Sequence, residues 1–130
     1  MKKTIIKNIN MKFIQPKKDI CCEDVLKCVF DLNKLDIKIY KILKKNREVR
    51  ADSIAKKIGK DRSTIYRSLQ KLTCCGICLK KTKKIDSGGY YHVYITNDID
   101  FTKKKLEKCI DDWYYQMKET LKHFEEIEKI

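Results

Sequence analysis

The stretch Ala51–Gly76, ADSIAKKIGKDRSTIYRSLQKLTCCG, reads as two short helices joined by a tight turn. Ile54, Ala55 and Ile58 supply the inward face of the first helix. Gly59 opens the turn, where it can take the positive φ that a Cβ would penalise. Asp61 stands where a cap is needed for the second helix, whose Ile65, Leu69 and Leu72 recur at helical spacing. Ala55 is small enough for the two helices to cross closely, as a helix-turn-helix requires. The outward face of the second helix carries Arg62, Ser63, Thr64, Arg67, Gln70 and Lys71. Long cations and small hydroxyls suit phosphates and base edges, so this stretch points to DNA.

Charge supports that reading once it is divided by region. Lys34–Lys84 holds seventeen Lys and Arg against four acids, Asp36, Glu48, Asp52 and Asp61. This local balance of +13 equals the formal charge of the whole 130-residue chain. From Phe101 to Ile130 seven basic residues are offset by seven acids, so that segment is neutral. A charge excess concentrated on one region is the footprint of a polyanion-binding surface. Basic helices that lie on membranes need a broad apolar face opposite the charges, and here the apolar residues are committed to a helix-turn-helix core.

The length accommodates one modest core. No apolar run approaches the length of a bilayer span. The N-terminus, MKKTIIKNINMKFIQPKK, begins like a signal peptide, but Lys7, Asn8 and Lys12 interrupt any apolar region. The expected location is therefore intracellular and cytoplasmic, with no membrane association.

Residues 1–20 form an N-terminal arm whose conformation the sequence leaves open among strand, docked arm and frayed tail. From Glu23 the pattern is helical, with Val25, Leu26, Val29 and Leu32 on one side. A second helix starts near Lys34, places Leu35, Ile39, Ile42 and Leu43 inward, and ends around Lys44–Asn46. After Gly76 the period changes. ICLKKTKKIDSGGYYHVYIT contains two β-prone runs separated by Asp86-Ser87-Gly88-Gly89, a β-hairpin signal. A basic hairpin directly after a helix-turn-helix is a wing, and Lys80, Lys81, Lys83 and Lys84 are its candidate contacts to the duplex backbone or minor groove.

Residues 101–130 contain no Gly or Pro and predict one long helix, roughly 45 Å at the usual rise. Leu106, Ile110, Trp113, Met117, Phe124 and Ile127 step by alternating fours and threes, with Thr120 filling one slot and Leu121 widening the seam. The seam predicts self-pairing into a homodimer; folding back onto its own domain is the other reading. The expected organisation is thus an arm (1–20), a winged helix-turn-helix domain (21–98) and a C-terminal dimerisation helix (99–130). The fold class is mainly α with one small β-hairpin, an α+β arrangement.

The chain resembles archaeal winged-helix transcriptional regulators of the TrmB-like and MarR/ArsR-like group. The resemblance rests on LNKLDIKIYKIL (32–43), ADSIAKKIGKDRSTIYRSLQKL (51–72), GGYYHVYI (88–95) and DDWYYQMKETLKHFEE (111–126). It implies a recognition helix at Arg62, Ser63, Thr64, Tyr66 and Arg67 and dimerisation through the last helix. Two departures from the group's pattern stand out. Arg50, a poor cap, stands where Thr or Ser usually caps the first helix of the motif. Cys74, Cys75 and Cys78 replace small or apolar residues after the recognition helix. No separate sugar-binding domain is expected, so a sugar-sensing role is not carried over.

Arg62, Arg67 and Gln70 are the candidates for base contact, because Arg can grip guanine and Gln adenine through paired hydrogen bonds. Ser63 and Thr64, in the first turn, suit phosphate. Tyr66 reads as half core and half backbone contact, and Lys71 completes the set. The bland alternative for all of them is a solvated polar face.

The seven cysteines fall into Cys21, Cys22 and Cys28, then Cys74, Cys75 and Cys78, with Cys109 alone. Cys75-Gly-Ile-Cys78 has the C-x-x-C spacing of a metal or redox pair, but two further ligands would have to come from the distant N-terminal trio or from His92. Buried free thiols are the expected role for most of them, with no bound metal and no cofactor. His123, among glutamates on the last helix, reads as a surface residue.

No phosphate-cradling Gly loop, H-E-x-x-H or nucleophile signature is present. Asp111 and Asp112 diverge by about 100° on a helix, poor geometry for an acid–base pair. The reading is therefore a non-enzymatic, homodimeric, sequence-specific binder of double-stranded DNA that regulates transcription. The alternatives are a thiol- or metal-responsive sensor on the same scaffold, using the two cysteine clusters, and a non-specific nucleic-acid or chromatin-like binder.

Overall fold

The computed structural model describes residues 21–129; the expected N-terminal arm, 1–20, lies outside them. Five α-helices and one hairpin follow in the order α1 (Cys22–Phe30), α2 (Lys34–Lys45), α3 (Ala51–Ile58), α4 (Arg62–Cys75), β1 (Cys78–Lys84), β2 (Tyr90–Thr96) and α5 (Ile99–Leu121). A short 3₁₀ segment, Phe124–Lys129, closes the described chain. Two compact units result. One spans Leu32–Thr102; the other joins the chain up to Asp31 with the chain from Lys103 onward. Among the described residues no helix is long and apolar enough to cross a membrane.

The unit Leu32–Thr102 is a winged helix-turn-helix. Asn33 opens α2 with a reciprocal cap. Its side chain accepts from the Asp36 amide at 2.8 Å, and Asp36 Oδ2 accepts from the Asn33 amide at 2.9 Å. Two otherwise orphaned amides are satisfied in this way. Of the inward residues expected on α2, Ile39 and Leu43 are fully buried, whereas Leu35 and Ile42 are half-buried. Ile37 and Tyr40 take the remaining core positions. α2 packs on α4 and β2, and α3 packs on α4 and β2.

The helix-turn-helix forms as its sequence dictates. α3 ends at Gly59, whose φ of 81° is left-handed, and the Gly59 amide bonds back to the Ala55 carbonyl. Asp61 caps α4 by accepting from the Thr64 amide at 3.2 Å. Arg50 stands at the cap of α3 without making a side-chain cap bond. Ile54, Ile65, Leu69 and Leu72 are fully buried, with Ala55 at the crossing. Each large aliphatic removed from water in this way contributes roughly 1.5–3 kcal/mol before chain entropy is subtracted.

α4 also ends in a left-handed glycine, Gly76, with φ 87°. The chain turns through Ile77 into an antiparallel hairpin registered from Cys78↔Thr96 to Lys84↔Tyr90. Val49, just before α3, bridges to Tyr94, so β2 is flanked on both sides. Asn97 locks the corner after β2: its amide bonds to the Ile77 carbonyl at 2.9 Å and its side chain to the Gly76 carbonyl at 2.8 Å. Asp98 then accepts from the Phe101 amide, and α5 begins.

One expectation is corrected. The last helix does not run to Ile130; α5 ends at Leu121. Beyond it the amides of Lys122, His123 and Glu126 bond to carbonyls three residues earlier, the tighter 3₁₀ pattern. Thr120 Oγ1 bonds back to the Gln116 carbonyl, a local bond that competes with helix continuation. Glu125, Glu126 and Glu128 would place negative charge at a helix C-terminus, where the dipole disfavours it. Phe124 and Ile127 therefore lie outside the helix that carries Leu106, Ile110, Trp113, Met117 and Leu121.

A buried carboxylate sets the position of α4. Asp36 is 2% exposed. Its Oδ1 accepts from the Ser68 hydroxyl, and its Oδ2 accepts from Lys71 Nζ at 2.7 Å besides the Asn33 amide. Asp36→Ala removes all three bonds, strands the buried Ser68 hydroxyl and leaves the Asn33 amide without its half of the reciprocal cap. It is expected to lower stability by about 2–3 kcal/mol, against about 1 kcal/mol for Ser68→Ala, measured by urea denaturation.

Candidate nucleic-acid interface

α4 is amphipathic by necessity: Ile65, Ser68, Leu69 and Leu72 face the core, leaving the opposite side to the polar residues. Arg62, Ser63, Tyr66, Arg67 and Gln70 are exposed, and Thr64 is half-buried. The first turn is organised around Asp61. Hydrogen bonds from Thr64, side chain before amide, hold its carboxyl below the usual range, and Ser63 Oγ donates to it at 3.3 Å. Arg67 Nη2 lies 3.4 Å from Thr64 Oγ1, a weak contact that leaves the guanidinium at the surface.

Two members of the expected set are engaged elsewhere. Lys71 reaches inward to Asp36, so its charge serves the junction of α2 with α4. Arg62 Nε lies 2.8 Å from Asp52 Oδ1, an ion pair between α4 and α3 in which Arg62 remains 64% exposed. An exposed pair of this kind contributes little stability, so Arg62 stays available to a stronger anion.

The wing lysines divide by strand register. Successive residues of a strand point to opposite faces, and directly paired residues share a face. Lys80 and Lys84 pair with Tyr94 and Tyr90, on the face that also holds Thr82 and His92. Lys81 and Lys83 pair with Val93 and Tyr91 on the other face. Lys83 is tied to Glu48 at 3.2 Å. Thr82 Oγ1 and His92 Nδ1 are 3.2 Å apart across the strands.

Between α3, α4 and β2 lies a cleft of about 200 Å³. Arg50, Asp52, Arg62, Tyr66, Tyr90 and His92 line it, together with Ala51 and Tyr91. The Arg50 guanidinium stacks over the Tyr91 ring at 4.6 Å. Arg50, Asp52, Tyr90 and Tyr91 were not among the residues expected from the sequence. The available signal was the oddity of an arginine in a capping position, and its explanation is a ring forty-one residues away in sequence.

Residues 26–100 match the family described as "Sugar-specific transcriptional regulator TrmB". The chain belongs to the TrmB family. An uncharacterized protein of Methanocaldococcus jannaschii is 34% identical over 103 residues, covering 79% of this chain and 78% of that protein. A second uncharacterized protein of the same organism is 31% identical over 112 residues, covering 86% and 92% respectively. Among solved structures, a possible transcriptional regulator from Methanosarcina mazei Go1 superposes with a TM-score of 0.71 at 28% identity, covering 83% of this chain and 96% of the other. A Sulfolobus tokodaii protein shares the fold at 16% identity, with a TM-score of 0.56 over 73% and 93% of the two chains. The family and the Methanosarcina structure make this chain a DNA-binding transcriptional regulator by type.

On this TrmB-family scaffold the thiols occupy contrasting sites. Cys28 and Cys78 are buried, Cys75 and Cys109 half-buried, and Cys21, Cys22 and Cys74 exposed. Burial, with a smaller contribution from Cys75, pushes the Cys78 thiol up to about 12. Burial also raises Cys109. Among the described residues no three His, Cys, Asp or Glu side chains gather as a metal would require. His123 is exposed, 3.7 Å from Glu126. Iodoacetamide at neutral pH is expected to label Cys74 in the folded protein and Cys78 only after unfolding, read by peptide mass spectrometry. Because the folded Cys78 pKa lies above its unfolded value, its contribution to stability is complete below about pH 9 and is lost as pH rises toward 12. A urea midpoint that falls across this alkaline range, and falls less in Cys78→Ala, is the expected result.

Proposed function

We propose that this protein is a sequence-specific regulator that binds double-stranded DNA as a homodimer in the cytoplasm, without enzymatic activity. The observation that carries the reading is the exposed polar face of α4, presented with a lysine-bearing wing by one compact unit. α4 enters the major groove. Arg67 and Gln70 read base edges there, while Arg62, released from Asp52, turns to the backbone. Ser63, Thr64 and Tyr66 hold backbone phosphate, and the wing contributes sequence-independent affinity. Lys80 and Lys84 share the strand face of Tyr90 and His92, so they are the wing residues assigned to the backbone. Lys81 and Lys83 occupy the other face, and Lys71 supports α4 from within.

Binding should weaken steeply with salt, and Lys80→Ala with Lys84→Ala should reduce the slope of log K against log salt by about 0.9 per contact on every sequence. Arg67→Ala should cost about 1–3 kcal/mol on a preferred site selected from random duplexes and much less on random DNA. Equal losses on both would remove Arg67 from base reading.

The homodimer is supported by the apolar row on α5. Ile110, Met117 and Leu121 are exposed and Leu106 and Trp113 half-buried, more apolar surface than a solvated helix needs. Phe124 and Ile127 on the 3₁₀ segment add exposed area beyond the helix. Reading two half-sites requires two recognition helices roughly 34 Å apart, which one copy cannot provide. Light scattering at micromolar concentration should give twice the mass of the chain, and Trp113→Asp should halve it with circular dichroism preserved. A wild-type monomer would sink the dimer and leave the DNA-binding unit standing.

A further inference from the structure

We propose that the cleft between α3, α4 and β2 is a phosphate clamp, in which Arg50 and Arg62 grip one phosphodiester of the DNA backbone. The inference rests on the DNA-binding reading and adds a site and a residue, Arg50, to it. The Arg50 guanidinium is held over the Tyr91 ring at 4.6 Å, so it loses little conformational freedom when a ligand arrives. Among the described residues it forms no ion pair. Arg62 borders the same cleft.

The other lining groups suit an anion of this kind. Tyr66 and Tyr90 bring phenolic hydroxyls, and both are substantially exposed, at 42% and 67%. His92 has Nδ1 engaged with Thr82, which leaves Nε2 as its nitrogen for a ligand. The cleft, about 200 Å³, has room for a phosphate group. Asp52 stands in the same cleft as a competitor for Arg62. An acid there opposes any backbone phosphate, so it weakens binding to preferred and random duplexes alike. Recognition of a phosphate could also serve a free phosphate ester; the duplex backbone is favoured because recognition helix and wing both border the cleft.

The test compares Arg50→Gln, Arg50→Lys and Asp52→Asn with the wild type, on one 20-base-pair duplex across 50–200 mM salt. Arg50→Gln should lower the salt slope by about 0.9, so its deficit shrinks three- to fourfold between the two salts. Arg50→Lys should restore the slope, which a purely structural stacking role would not. Asp52→Asn should tighten binding to preferred and random duplexes together. Lys38→Gln, on the exposed side of α2, serves as a comparison and should behave like any distant surface charge. A wild-type slope with Arg50→Gln unchanged would overturn the clamp while leaving DNA binding intact; no salt-dependent binding by the wild type would overturn the DNA reading itself. If circular dichroism shows Arg50→Gln unfolded, Asp52→Asn decides, and unchanged affinity there counts against the clamp. Saturable binding of inorganic phosphate alone, blocked by Arg50→Gln and without effect on the duplex slope, would assign the cleft to a free phosphate ester instead.

Discussion

Asp36 is the point from which the orientation of α4 is set. A carboxylate taken out of water is costly, and it is tolerated when hydrogen bonds and a cation compensate it. Here the Asp36 oxygens accept from the Asn33 amide, the Ser68 hydroxyl and the Lys71 ammonium. The first of these starts α2 and the other two lie on α4. Apolar contacts between two helices allow sliding by a methyl or so at small cost. A buried carboxylate that must find two particular donors does not, so rotation of α4 about its axis is restricted. That restriction determines which residues of α4 face outward, and so which are available to a partner.

The same logic distributes the cations. Lys71 and Arg67 are four residues apart and share the polar character of α4, yet one is used for the fold and the other is left at the surface. Arg62 is intermediate, loosely paired with Asp52. Arg50 forgoes capping α3 and stacks on Tyr91. In the hairpin the pleat divides four lysines that look equivalent in sequence into two pairs. A basic region with a local excess of +13 therefore becomes a small number of directed charges.

The C-terminal part follows a different constraint. α5 begins within the winged unit, anchored through Asn97 and Asp98, and continues into the second unit. Its apolar residues carry the exposed area of the molecule most in need of cover, and its neutral charge places no repulsion in the way of self-association. The helix ends where a back-bonded threonine and a run of glutamates make further turns unfavourable.

Local chemistry was enough to read the layout of this protein from its residues. Gly59 ends α3, Asp61 begins α4, and the Ser-Gly-Gly turn after Asp86 closes the hairpin, because each acts within a few residues of itself. α4 and the hairpin were legible for that reason. The length of α5 was misjudged, since the absence of Gly and Pro permits a helix without compelling one. The partners of Lys71, Arg50 and Arg62 were not legible at all. Asp36 lies thirty-five residues from Lys71, and Tyr91 forty-one from Arg50. Nothing along the chain marks which distant group a cation will meet; only the crossing of α2 on α4 and the pairing of the strands bring those groups within reach.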